Sequence, residues 1–172
     1  MPDGGTTLTN RFTPSPENSR AFRDALGCFA TGVTVVTAKG PDGPVAITVN
    51  SFSSVSLDPA LVLWSPGKTS RRHDIFLDAE RFVIHVLAHD QRAIADGCVK
   101  NPAPFDKLGA VIGTDRILRF PDCLARFECN HFAAHDAGDH TIIIGQVTDV
   151  ETRPGEPLLF ARGQYGRFTG AE

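Results

Sequence analysis

The sequence predicts one domain of mostly antiparallel β-structure, closed into a barrel, with a few short helices at its ends. About six or seven short segments rich in Val, Ile, Thr and Phe recur at close spacing, each bounded by Gly, Pro, Asn or Asp. The alternation of strand and long helix that marks a doubly wound parallel sheet is missing, as is any G-x-G-x-x-G. A chain of 172 residues with 41% hydrophobic content has enough apolar surface for one sizeable core and too little length for two ordinary domains.

Residues 1–17, rich in Pro, Gly, Thr and Ser, read as a flexible arm, and residues 18–168 as the folded domain. A helix is expected over Ser19–Ala30, because Phe22, Ala25, Leu26 and Phe29 recur at helical spacing and Gly32 stands beyond as a stop. Val33–Ala38 reads as a strand, Pro41–Pro44 as a tight turn, and Val45–Phe52 as the returning strand of a hairpin. Leu61–Ser65 is the next strand, Arg72–Leu77 a short helix, and Arg81–Leu87 an alternating strand. A second short helix, Gln91–Cys98, ends near Asn101 and Pro102. The pattern is then extended again: Leu124–Phe132, a turn at Ala137-Gly138-Asp139, Thr141–Val147 with its β-branched centre, and a last strand near Leu158–Phe160.

Composition excludes several roles. A net charge of −3 and a pI near 6.0 give no basic stripe for nucleic acid, and the apolar run Ala60–Trp64 is far too short for a bilayer. The opening residues lack the basic and apolar regions of a secretion signal, so a soluble cytoplasmic protein is expected. Cys28, Cys98, Cys123 and Cys129 are far apart with no C-x-x-C spacing, which fits reduced, mostly buried thiols.

The run Thr48–Pro59 is the densest chemical signal. Five hydroxyl residues and Asn50 fall within Thr48–Ser56, where a buried strand is expected, so more donors and acceptors enter the core than a plain sheet needs. A polar ligand would use them. Ser65-Pro66-Gly67-Lys68-Thr69-Ser70 offers hydroxyls, a cation and a helix start, a combination that suits a phosphate, although Thr69 or Ser70 as a plain helix cap explains the segment equally well. It is not a P-loop, because that motif needs Gly where Val62 stands. His131 and His135 have the spacing of a helical metal pair, but they fall in an expected strand and turn, where the spacing separates them.

Taken in order, these segments resemble a known family, the short flavin reductases that supply reduced flavin to two-component monooxygenases. The matching segments are Phe29–Val33 leading into Val35–Thr37, Thr48–Pro59, Lys68–Ser70, Phe82–Leu87, Gly138–His140 before Thr141–Gly145, and Pro157–Phe160 before Tyr165. The resemblance implies an FMN-binding split barrel of Greek-key antiparallel strands, a homodimer with flavin near the subunit interface, and reduction of FMN or FAD by NADH or NADPH. It implies that Thr48, Val49, Asn50 and Ser51 line the flavin ring and ribityl chain, and that Ser65, Lys68, Thr69 and Ser70 hold its phosphate. Asp139 and His140 would meet the nicotinamide, Tyr165 would pack on the dinucleotide, and Phe105 would close over the flavin. No catalytic acid or base is expected. A monooxygenase component is the implied partner. Arg20, Arg23, Arg71 and Arg72 would each meet either a 2′-phosphate or only solvent, which leaves the choice of NADH or NADPH open. A protein of the same barrel that binds flavin or haem without turnover is the alternative.

Overall fold

The computed structural model describes residues 10–99 and 105–170. Among the described residues, twelve strands form three antiparallel sheets. In chain order they are β1 (Thr31–Gly32), β2 (Thr34–Lys39), β3 (Pro44–Val49), β4 (Ser53–Leu57), β5 (Ala60–Trp64), β6 (Arg81–Val86), β7 (Val111–Ile112), β8 (Leu118–Arg119), β9 (Ala125–Ala137), β10 (His140–Thr152), β11 (Leu158–Ala161) and β12 (Gln164–Arg167). Three helices, α1 (Ser19–Leu26), α2 (His73–Leu77) and α3 (Arg92–Val99), sit outside. None of the described helices is long and apolar enough to cross a membrane.

The main sheet has seven strands in the order β3-β2-β6-β9-β10-β5-β4. Its two edge strands, β3 and β4, are consecutive in sequence and joined only by Asn50-Ser51-Phe52. So short a link cannot span a flat sheet of that width, since strands lie about 4.8 Å apart. The sheet therefore curls until its edges meet, which makes a barrel split between β3 and β4.

The barrel's centre is apolar on both sides of β2. Val36 faces a core of Trp64, Phe76, Phe82, Ile84 and Ile143, while Val35 faces a second core with Leu87, Ala95, Cys98 and Phe120 under α3. Trp64 meets Phe76 edge to face at 5.0 Å. The buried Gly145 of β10 packs so close that an added Cβ would stand 2.5 Å from the Phe82 ring, which is why glycine fills this position. The hydroxyls carried into β2 are satisfied by backbone: Thr37 donates to Leu118 O at 2.7 Å and Thr34 to Val49 O at 3.0 Å. At one end of the barrel Arg119 forms paired bonds with both Asp115 and Glu128, and holds the Asp115 carboxyl down to about 2.

Several expectations change. The first helix stops at Leu26 with Gly27 as its cap, and Gly32 lies in β1. The expected strand Val45–Phe52 ends at Val49, because the chain must leave β2 there to cross the split. Beyond the link, Ser53, Ser54, Val55 and Leu57 are exposed on an edge strand, so the second half of the polar run is not buried. β9 and β10 are each 13 residues, longer than their apolar centres suggest, since their outer halves pair only with each other. β12 and the β7–β8 hairpin carry no strand pattern of their own and form by pairing with neighbours. Pro16–Asn18 forms a 3₁₀ turn leading into α1, within the stretch read as an arm. Residues 1–9 of that arm, and the expected helix end at Asn101 and Pro102, lie outside the described residues.

Candidate functional site

The site forms at the split because three segments are tied there by backbone. Ser51 bridges it: the Ser65 amide donates to Ser51 Oγ at 2.9 Å, and the hydroxyl donates back to Ser65 O at 3.3 Å. From Ser65 the chain turns through Pro66–Ser70 and pairs with the β9–β10 turn. There the Thr141 amide donates to Pro66 O at 3.1 Å and the Lys68 amide to Asp139 O at 2.8 Å. The turn itself needs Gly138 at φ 66°, the left-handed conformation expected at the first position of a two-residue hairpin loop.

This pairing sets Asp139 and His140. The Asp139 carboxylate accepts from His140 Nδ1 at 2.7 Å, which lowers the Asp139 pKa and leaves Nε2 pointing away from that bond. The imidazole stands over Gly67, where an added Cβ would lie 3.4 Å from Nε2. Lys68 Nζ donates to Asp136 and, at 2.7 Å, to Gly138 O. An ammonium has three donors, so one remains for an anion. Thr69 is exposed and Ser70 half-buried, its Oγ accepting from the Arg72 amide at 3.3 Å.

On the other side of β3, Thr48, Val49 and Asn50 line a cleft of about 170 Å³ with Val33, Val99, Phe160 and Tyr165. Thr48 donates to Ala95 O at 2.7 Å, so its hydroxyl docks α3 and its methyl is what remains for the cleft. Asn50 is exposed at the mouth. Phe160 and Tyr165, paired across β11 and β12, meet at 5.4 Å, and Arg92 stacks on the Tyr165 ring at 4.9 Å. Burial, then the Asp96 carboxylate beside it, raises the Tyr165 phenol above its usual range.

Eleven of the twelve sequence-chosen residues therefore fall in two adjoining groups: Thr48, Val49, Asn50 and Tyr165 at the cleft, and Ser51, Ser65, Lys68, Thr69, Ser70, Asp139 and His140 along the brace. Phe105 does not line the cleft; it packs half-buried against the core beneath α3, and the Pro-rich approach 100–104 lies outside the described residues.

Sequence reasoning did not place Phe160 or Val99 in the site: Phe160 stood only within the matching segment Pro157–Phe160, and Val99 had no signal beyond hydrophobicity. It also missed the positioning role of the Arg72-His73 pair. Arg72 donates to Ala46 O, Cys98 O and Val99 O, so this half-buried guanidinium clasps the end of α3 and is not left for a 2′-phosphate. His73, buried, bonds Thr141 Oγ1 at 2.9 Å and steadies the start of β10. His131 and His135 lie on β9, roughly 13 Å apart for an extended chain, too far to share a metal.

The apolar walls, the single amide at the mouth and the adjoining hydroxyls and cation suit a flat heteroaromatic ring that carries a phosphate. The flavin reductase like domain family matches residues 26–169. The chain belongs to that family. It is 55% identical over 158 residues to the FMN reductase (NADH) SmoA of Agrobacterium fabrum, covering 92% of this chain and 91% of that protein. It is 40% identical over 157 residues to the reductase component of the flavin-dependent trigonelline monooxygenase of Acinetobacter baylyi, covering 89% of this chain but about half (49%) of that longer protein. Among solved structures, the NADH:FAD oxidoreductase SgcE6 of Streptomyces globisporus superimposes with a TM-score of 0.85 at 33% identity, covering 95% of this chain and 100% of that one. This is the split-barrel fold expected from the sequence.

Proposed function

We propose that this flavin reductase domain oxidises NADH, or NADPH, with FMN or FAD as acceptor in the cleft at the split, and hands the reduced flavin to a monooxygenase component. The observation that carries this reading is the continuity of the cleft with the brace: Ser51 joins a wall of Thr48, Val49 and Asn50 to the segment Ser65–Ser70, which in turn holds His140 in place. The names of its relatives, an NADH-dependent FMN reductase and a monooxygenase reductase component, support the same activity.

Hydride transfer between nicotinamide and flavin is chemistry the two ligands supply when bound. The protein's residues bind and orient. Asn50 meets a polar ring edge at the cleft mouth, while Val49, Val99 and Phe160 give apolar walls for the ring. The free donor of Lys68, with the Thr69 hydroxyl, meets the flavin phosphate. His140, fixed by Asp139, presents Nε2 to a carboxamide or phosphate on the nicotinamide side. Hydride transfer of this kind asks no side chain to move a proton.

A second copy fits the exposed edge β4, where Val55 and Leu57 are uncovered and Leu57 is 97% exposed. A dimer made there would flank the split.

The test is a steady-state matrix of NADH and NADPH against FMN, FAD and riboflavin, read at the reduced nicotinamide band, with sedimentation on the same sample. Oxidation that depends on added flavin is expected, and His140→Ala should raise the KM for the nicotinamide more than that for the flavin. Flavin binding with no turnover in any combination returns the chain to the non-catalytic alternative.

A further inference from the structure

Two donor side chains on the β9–β10 side of the brace are each held by a carboxylate at the end of that hairpin. His140 Nδ1 donates to Asp139, and Lys68 Nζ forms an ion pair with Asp136. The first pair orients a ring. The second has a different effect, because Lys68 is the cation that the segment Pro66–Ser70 offers to a phosphate.

The brace does not need the Lys68–Asp136 pair for its shape. Backbone already fastens the segment to the turn: the Lys68 amide donates to Asp139 O at 2.8 Å, the Thr141 amide to Pro66 O at 3.1 Å, and Gly67 bridges His140. Lys68 Nζ adds a bond to Gly138 O at 2.7 Å. Asp136 stands opposite Thr141 near the end of β9, its side chain 80% exposed, and Lys68 is the one cation within ion-pair distance of it among the described residues. An ion pair so exposed adds little to the stability of a fold.

What the pair does control is the ammonium. With Asp136 and Gly138 O in place, one of its three donors is left. A phosphate that takes this donor shares one nitrogen with a carboxylate, and the two anions repel each other. The phosphate either tolerates that repulsion or displaces Asp136, and both weaken its hold.

We propose that Asp136 sets the affinity of the site for phosphate-bearing flavin: it occupies Lys68 when the site is empty, competes with the phosphate when flavin arrives, and takes Lys68 back as flavin leaves. The inference rests on the activity proposed above, with Lys68 as the phosphate contact. A reductase that hands its reduced flavin on must release it, and a competitor built into the hairpin speeds release without touching the ring. Asp136 acts through Lys68 and is a positioning residue. Riboflavin, which carries no phosphate, is indifferent to it.

The test is fluorescence titration of the purified protein with FMN and with riboflavin, read as the ratio of their dissociation constants, with FMN release followed by stopped flow. Asp136→Asn should raise the preference for FMN about threefold, the size expected for one exposed ion pair, by slowing release. Riboflavin affinity and melting temperature should stay as in wild type. Asp136→Glu, which keeps the competing charge, should keep the wild-type ratio. Lys68→Gln should bring FMN down toward riboflavin, and Asp136→Asn added to it should change the ratio much less. A preference for FMN that Asp136→Asn leaves unchanged or lowers, where Lys68→Gln still reduces it, overturns the role of Asp136 alone. An equal loss for both flavins with a lower melting temperature makes the pair a structural brace and overturns that role too. A preference that Lys68→Gln leaves intact overturns the phosphate reading of the brace, and the competition with it.

Discussion

The two halves of the run Thr48–Leu57 have nearly the same composition and opposite fates. In the first half, up to Ser51, the two hydroxyls are committed to backbone, Thr48 to Ala95 and Ser51 to both polar groups of Ser65. In the second, Ser53 reaches only its neighbour's carbonyl and the strand faces outward. The difference is which side of the split each half joins. Both strands edge the sheet with one neighbour each, but β3 lies against β2, whose faces are buried, and is covered by α3 through the Thr48–Ala95 bond, whereas β4 pairs with β5 and faces outward. A hydroxyl is therefore a connector on one side and surface on the other.

The largest effect expected on this contrast comes from pH. Thr48 pairs with Val35 on β2, and Val35 in turn pairs with His85 on β6. His85 is fully buried, its Nδ1 bonded to Val35 O at 3.1 Å and its Nε2 without a partner among the described residues. Burial, aided by Arg126 and Arg119, lowers its pKa to about 3. The unfolded chain takes up that proton near pH 6.5 and the folded chain only near 3, so this contribution is complete above pH 6.5 and is lost as pH falls between those values. The full window corresponds to roughly 5 kcal/mol. Denaturant titrations at stepped pH should show wild type losing stability faster than His85→Gln on acidification; parallel slopes would remove His85 as the cause.

Ser51→Ala comes next. It leaves the Ser65 amide and carbonyl without the hydroxyl that joins the split, and about 1–3 kcal/mol of stability should go, with weaker flavin binding. Denaturation midpoint and flavin titration check it together, and an unchanged midpoint would mean the split closes without this bridge. The smallest effect is predicted for Ser54→Ala on β4: within about 0.5 kcal/mol and no change in flavin affinity. A loss matching that of Ser51→Ala would erase the distinction between the two halves.

Much of this was legible in the residues. β-branched alternation located β2, β6 and the centre of β10, because apolar side chains at period two leave few other ways to bury them. The Gly138-Asp139-His140 turn was legible because only glycine takes that conformation without strain. Phe105 and Arg72 were misread for the opposite reason. An aromatic looks the same whether it faces a ligand or the α3 core, and a guanidinium whether it meets a phosphate or three carbonyls.

By itself, then, the sequence determined the class of barrel, the family, and which polar residues gather near the split, since periodicity, turn chemistry and motif order are properties of neighbouring residues. Only the tertiary structure decided which half of the Thr48–Leu57 run is buried and where the brace lies. Those depend on the curl that brings β3 and β4, the two edges of one sheet, to the same corner, and curl is set by the pairing of strands distant in sequence.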